Sequence, residues 1–311
     1  MGRDSLMPRV LVTGATGFIG RHCLPVLEQH GYEVHAVSSR GPLPEFPHCR
    51  WYRSDLLAAN TVPALLTEVR PTHLLHLAWF ARPGEYWESP ANVDWVRASL
   101  ALVRTFEHIG GRRAVLVGSC AEYDWRYGYC SEDTTPLAPT TLYGVSKHCL
   151  EMLVNAYAAR AELSVGWGRP FFVYGPYEAS SRLVPSVVQA LLQEKPVYCS
   201  QGNQVRDYLY VADVAHALVT LLGSEFRGPV NIASGIPVRV KDLIRCITNV
   251  LGREQLVRMG TRSSPVDEPA FIIGDVGRLG DRVGWHPRYN MEAGILESIE
   301  WWRKREMDKF R

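Results

Sequence analysis

Short apolar runs alternate with longer stretches of helical periodicity through the first half of the chain. Residues 9–13 form an apolar run that enters a glycine-rich turn, and residues 21–30 carry helical periodicity that stops at Gly31. Further strands are predicted at 33–39, 72–79 and 113–119, with helices near 61–69 and 92–109 between them. Strands that alternate with helices need crossover connections, which are right-handed and cover both faces of a parallel sheet. The pattern predicts an α/β fold built on a doubly wound parallel sheet.

A helix opened by Thr140 or Thr141 runs to about Glu162, and a strand at 164–173 stops at the turn Tyr174-Gly175-Pro176. From Tyr177 onward the predicted elements are shorter: helices near 183–193, 211–222 and 240–251, extended residues at 196–200 and a strand at 230–232. A terminal helix at 293–310 carries Trp301 and Trp302. A boundary near residue 176 gives a Rossmann-type domain over 1–175 and a smaller C-terminal α/β substrate domain over 176–311. Within the second part, 206–233 is expected to return and pack on the first sheet.

The first turn holds Gly14, Gly17 and Gly20 between a strand and a helix, with Thr16, Phe18 and Ile19 among them. Glycine lets the backbone approach a pyrophosphate, and a helix N-terminus presents free N–H groups and a positive dipole end. The spacing is GxxGxxG rather than GxGxxG, and its place after a strand makes it a dinucleotide site. The second predicted strand ends in Ser38-Ser39-Arg40, where an acid would hold the adenosine ribose of NAD. Arginine and serine there suit a 2′-phosphate, so NADP is favoured and NAD stays open.

Near the middle, Tyr143 and Lys147 stand four apart at the start of a helix and share one face. A phenol ionises near pH 10, so proton transfer near neutrality needs a nearby cation such as Lys147. On spacing alone, a packed ring beside a solvated charge is the commoner meaning.

Composition narrows the classes. Thirty-four Lys and Arg against 32 Asp and Glu leave a formal charge of +2, which gives no global case for binding nucleic acid or a membrane surface. Seven scattered cysteines, none spaced as CxxC, point to free thiols in a reducing compartment rather than to a metal site. With no long apolar span and no signal-peptide core, a cytoplasmic location is expected.

Taken in order, several motifs resemble the extended short-chain dehydrogenase/reductase family. They are Thr13 to Gly20, Asp55-Leu56, His76-Leu77-Ala78, Ser119, Tyr143-xxx-Lys147, Arg169 to Pro176, Arg206 to Val214, Asn231 to Gly235 and Leu279 to Pro287. They span nearly the whole chain. The resemblance implies that Asp55 and Leu56 meet the adenine, that Leu77 and Ala78 line the cofactor, and that Asn92 is structural. Asp55 reads equally well as a helix N-cap, and His76 as a satisfied core histidine. Ser119, at a strand end four residues before Tyr123, resembles the family's catalytic hydroxyl. The resemblance also implies that Lys147 holds the nicotinamide ribose and Arg206 a substrate diphosphate, with Arg182 a weaker candidate. Trp79, Phe80, Tyr86 and Trp87 crowd one loop and suit a sugar face, a lid, core packing or a dimer surface. The helices at 92–109 and 141–161 resemble those that pair in homodimers.

Two departures matter. Members that dehydrate sugar nucleotides carry an Asp-Glu pair after the hydroxyl residue, and Cys120-Ala121 stand there, which argues against a 4,6-dehydratase. Glu122 follows and is expected to point to the other side of an extended backbone. Phe172 replaces an asparagine that contacts the nucleotide sugar in relatives. The expectation is an NADPH-dependent reductase of a nucleotide-activated 4-keto (deoxy)hexose, with an NAD-dependent nucleotide-sugar C4 epimerase as the alternative. A non-catalytic cofactor sensor or scaffold is remote, because Tyr143 and Lys147 are both present.

Overall fold

The computed structural model describes residues 7–58, 60–263 and 268–308. The chain order in the first part is β1 (Arg9–Thr13), α1 (Gly20–Gln29), β2 (Glu33–Ser38), β3 (Arg50–Arg53), α2 (Thr61–Val69), β4 (His73–His76), α3 (Ala91–His108), β5 (Arg113–Val117), β6 (Tyr129–Cys130) and α4 (Leu142–Ala161). There follow β7 (Ser164–Pro170), β8 (Phe172–Tyr174), α5 (Leu183–Leu192), β9 (Val197–Tyr198), β10 (Val205–Tyr210), α6 (Val211–Gly223) and β11 (Gly228–Ile232). The remainder is β12 (Pro237–Arg239), α7 (Val240–Leu251), β13 (Val257–Arg258), β14 (Phe271–Gly274), α8 (Gly277–Asp281) and α9 (Met291–Asp308).

Seven strands form one sheet in the order β11-β7-β5-β4-β1-β2-β3, and every pairing in it is parallel. Alternate side chains of a strand face opposite layers. Val10 and Val12 of β1 therefore pack with Leu24 and Leu27 of α1 and Leu218 of α6. Leu11 packs on the other side with Leu66 of α2, Leu102 of α3 and Leu150 of α4. Both faces are covered, as the doubly wound pattern requires.

A smaller sheet runs β12-β10-β14-β6, with β8 also paired to β10. Over it, α5, α7 and α9 share an apolar cluster that includes Leu191, Leu243, Ile299 and Trp302. The structure adds strands that the apolar pattern did not announce. β3 is one, because Arg50 and Arg53 flank only a half-buried Trp51-Tyr52 pair. β14 is another, only four residues long. The run at 164–173 breaks into β7 and β8, and Phe310 of the expected terminal helix lies outside the described residues. No described helix is long and apolar enough to cross a membrane.

Strand order reverses between β1 and β4, so the two connections leaving there diverge and open a crevice at the strands' C-terminal ends. The candidate site lies in that crevice.

Candidate active site

A cavity of about 640 Å³ follows the C-terminal ends of β1, β2, β4 and β5. It gathers Gly14, Thr16, Gly17, Phe18, Ile19 and Gly20 from the first turn, Ser39 and Arg40 after β2, and Asp55 and Leu56 after β3. Leu77, Ala78 and Trp79 enter after β4, Ser119 after β5, Tyr143 and Lys147 from α4, and Phe172 and Arg182 from the second part. Arg206, expected at the substrate diphosphate, is absent from that wall.

The first turn is tight for a physical reason. Gly14 has φ +68°, and a Cβ on it would stand 2.7 Å from the Ala78 amide nitrogen. The turn therefore lies against the end of β4 with α1 rising directly from it, a cradle that suits a pyrophosphate. Thr16 Oγ1 and Ser38 Oγ are 3.0 Å apart, and the Arg40 amide donates to Ser38 Oγ at 3.0 Å, which fixes the start of the exposed Arg40. Asp55 Oδ1 accepts from the Leu57 amide at 3.0 Å, whereas the residue preceding α2 is Asn60, so Asp55 is not that helix's N-cap.

Tyr143 is placed by its neighbours in sequence. Thr141 caps α4 by accepting from the Gly144 amide at 3.1 Å. A Cβ at Gly144 would lie 2.4 Å from the Ala121 carbonyl oxygen, so glycine there lets the helix start press against the turn that carries Ser119. The Tyr143 amide donates to Trp87 O at 2.9 Å, and the Tyr86 ring lies edge-on at 4.9 Å. Burial pushes the Tyr143 phenol above its ordinary range, and a hydrogen bond with the Ser119 hydroxyl works the other way.

Lys147 is itself buried, which lowers its ammonium to about 7. Its Nζ donates to Val117 O at 2.7 Å and stands 3.7 Å from the Trp79 ring centroid, against 6.0 Å for Tyr143. The expected lowering of the phenol by Lys147 is therefore not what this arrangement gives. Desolvation outweighs a cation that is turned toward a carbonyl and a different ring.

Ser119, two residues past the end of β5, caps a short 3-10 turn over Cys120–Glu122, its hydroxyl accepting from the Ala121 amide at 3.1 Å. Glu122 is not on an extended backbone. It folds back beneath Ser119, accepts that residue's amide at 2.7 Å, and meets Trp167 Nε1 at 3.1 Å and Arg169 Nε at 2.7 Å. Arg169 reaches on to Glu151 at 2.5 Å and to the Tyr123 hydroxyl at 3.1 Å, while that hydroxyl donates to Asn231 at 2.8 Å. Glu122 and Tyr123 are thus parts of a buried network under the site.

Asn92 is fully buried and structural. It accepts from Trp79 Nε1 at 2.8 Å and donates to Tyr86 O at 2.7 Å, fixing the aromatic loop. Phe80 is absent from the cavity wall, while Trp125 and Tyr208 join it. His76 has both ring nitrogens occupied, by Thr13 Oγ1 at 2.7 Å and Ser99 Oγ at 2.8 Å, and burial drops it to about 3. It is a satisfied core histidine.

Arg206 is buried and pairs with Glu268 at 3.0 Å. Asp207 is taken by the amides of Ser234, Gly235 and Gly274, and Asp213 by those of Arg288 and Tyr289. The Phe172 ring lies 5.4 Å from the Arg206 guanidinium and faces the cavity in its place. Glu178 had no signal in the sequence. It lines the cavity near Arg182, and burial pushes its carboxyl up to about 8.

The sequence pattern described as the NAD dependent epimerase/dehydratase family matches residues 10–233, more than half of the chain. The chain belongs to that family. UDP-glucuronic acid decarboxylase 1 of Xenopus tropicalis is 26% identical over 310 residues, 95% of this chain and 72% of that one. CDP-abequose synthase of Salmonella typhimurium is 24% identical, across 94% of this chain and 97% of its own. Among solved structures, MoeE5 in complex with UDP-glucuronic acid and NAD is 32% identical with a TM-score of 0.83, covering 96% of this chain and 99% of its own. A UDP-glucose 4-epimerase from Thermotoga maritima superposes with a TM-score of 0.87 at 24% identity over 96% and 99% of the two chains, a likeness of fold. The extended short-chain dehydrogenase/reductase resemblance therefore holds, and the chain is an NAD(P)-dependent enzyme of that kind.

Proposed function

We propose that this member of the epimerase/dehydratase family moves a hydride to or from C4 of a nucleotide-linked hexose. The observation that carries it is the convergence of Ser119, Tyr143 and Lys147 on the cavity that holds the glycine cradle. A bound nicotinamide dinucleotide supplies or accepts the hydride. Tyr143 gives or takes the proton at the sugar oxygen, and Ser119 orients that oxygen. Lys147, which lines the same cavity, would hold the nicotinamide ribose through its Nζ. Arg182 takes the diphosphate, with Arg206 reaching it only by leaving Glu268. Cys120 and Ala121 offer no acid and base pair for dehydration.

Two fates of the keto sugar are supported by different observations. Arg40 with Ser39 at the ribose end, and no acid there, supports a dissociable NADPH and net reduction. The relatives support C4 epimerisation with NAD more strongly, because MoeE5 holds NAD and epimerases recur among them. The purified enzyme decides between them by its bound nucleotide. Retained NAD with interconversion of C4 epimers and no added cofactor means an epimerase. Net consumption of NADPH by a 4-keto sugar means a reductase.

A further inference from the structure

Glu122 stands outside the cavity wall but directly behind the turn that carries Ser119. Its side chain has no exposure to solvent, and the Arg169 side chain paired with it is 1% exposed. Each partner described for its carboxyl is a donor: the Ser119 amide at 2.7 Å, Trp167 Nε1 at 3.1 Å and Arg169 Nε at 2.7 Å. Burial pushes that carboxyl up while Arg169 pulls it down, and a set made wholly of donors fits a carboxylate. The chain is shaped to admit it, since a Cβ on Gly118 would stand 2.2 Å from Glu122 Oε1 and 2.2 Å from Trp167 Nε1.

A buried ion pair is a weak device for stability, because apolar residues of similar volume often serve as well or better. What this one holds is geometry. Glu122 and Ser119 close a reciprocal cap on the turn Cys120–Glu122, with the Ser119 amide donating to the carboxylate and the Ala121 amide to the serine hydroxyl. That hydroxyl also hydrogen-bonds the Tyr143 phenol, and two residues earlier Val117 O receives Lys147 Nζ at 2.7 Å. Hydroxyl, phenol and ammonium therefore all hang on residues 117–119, which Glu122 grips by the Ser119 amide. Charge points the same way. His76, Tyr86 and Cys120 face Tyr143 or Lys147 and stay neutral near pH 7, whereas Glu122 favours the protonated form of both. Around Glu122 itself stand Arg169, Glu151 and His148.

We propose that Glu122, oriented by Arg169, is a positioning residue of the hydride-transfer centre: it fixes the Ser119 turn so that the serine hydroxyl meets the Tyr143 phenol, and it sets a negative charge beneath that centre. The proposal rests on C4 hydride transfer at Tyr143. A reacting group displaced by about 1 Å can cost on the order of a hundredfold in rate, so loss of the grip on Ser119 falls on kcat rather than on KM.

The test follows reduction of UDP- and dTDP-4-keto-6-deoxyglucose by the whole enzyme with NADH and with NADPH. Glu122→Asp keeps the charge but falls short of the Ser119 amide, and it lowers kcat by about tenfold to a hundredfold with KM within about threefold. Glu122→Gln keeps an oxygen on that amide and loses the charge. The pH at which reduction falls away on the alkaline side then moves lower, because the Lys147 ammonium and the Tyr143 phenol both lose the group that favours them. In a Ser119→Ala background, Glu122→Asp costs less than about a further threefold, since it acts through that serine. An undiminished loss in that background overturns the proposal and leaves C4 hydride transfer intact. So does an unchanged kcat in the Asp variant, or an unmoved alkaline limb in the Gln variant, when the variant melts like the parent. Should neither fold, Trp167→Phe takes one donor from Glu122 and gives a smaller kcat loss that again vanishes with Ser119→Ala, and a loss that persists there overturns the proposal. Failure of the parent to reduce either sugar overturns the function itself, and the role of Glu122 with it.

Discussion

Lys147 carries the clearest consequence of burial for a single residue. Its folded value lies near 7 against an ordinary 10.5, so between those pH values the unfolded chain binds the proton and the folded chain does not. Stability from this group therefore rises as pH climbs from 7 to 10.5, and below 7 the full cost of burying an ammonium remains. Lys147→Met should stabilise the cofactor-free protein by up to about 4 kcal/mol at pH 6, with the gain fading toward pH 10. Urea midpoints of parent and variant across that range check it, and a gain that grows with pH contradicts the burial account. The same substitution should remove most activity. Tyr143→Phe should lower kcat by about 10² to 10⁴ without unfolding, the usual share of a positioned proton donor.

At the scale of elements, the junction of β5, α4 and β7 rests on charge buried beneath the site. Arg169 holds both Glu122 and Glu151, and none of the three side chains is more than 5% exposed. Arg169→Met leaves two carboxylates without their cation and should cost about 3–5 kcal/mol, read from a urea melt. Paired replacement with Glu122→Gln should recover part of that loss. Little of this network was visible beforehand, because Glu122 meets Trp167 and Arg169 only when strands more than 40 residues apart come together. What was legible rests on local rules. The turn from Gly14 to Gly20, the helix opened by Thr141 and the pairing of Tyr143 with Lys147 each follow from spacing within a few residues. The counter-ion of Arg206, the entry of Glu178 and the loss of β3 from the predicted strands all depend on contacts that no local period encodes.

For the whole molecule, the cavity is built by both halves of the chain, with the cradle and Tyr143 from the first and Phe172, Glu178 and Arg182 from the second. Helices α3 and α4 lie side by side and leave Val93, Val145, Met152 and Leu153 exposed. An apolar stripe of that kind suits a second copy, and we expect a homodimer. Sedimentation should give about twice the 35.0 kDa chain mass, and Met152→Lys with Leu153→Glu should give one chain mass. A parent that sediments as a single chain contradicts this.

Hydride transfer at C4 with Tyr143 as the proton carrier leaves an isotopic signature in the product. The decisive measurement incubates the enzyme with a nucleotide-linked 4-keto hexose and NADH or NADPH deuterated at the transferring position. Deuterium should appear at C4 of the product sugar, seen by mass spectrometry and NMR, at a rate that Tyr143→Phe cuts at least about a hundredfold. Deuterium at another carbon, or label entering C4 equally fast in Tyr143→Phe, would contradict it.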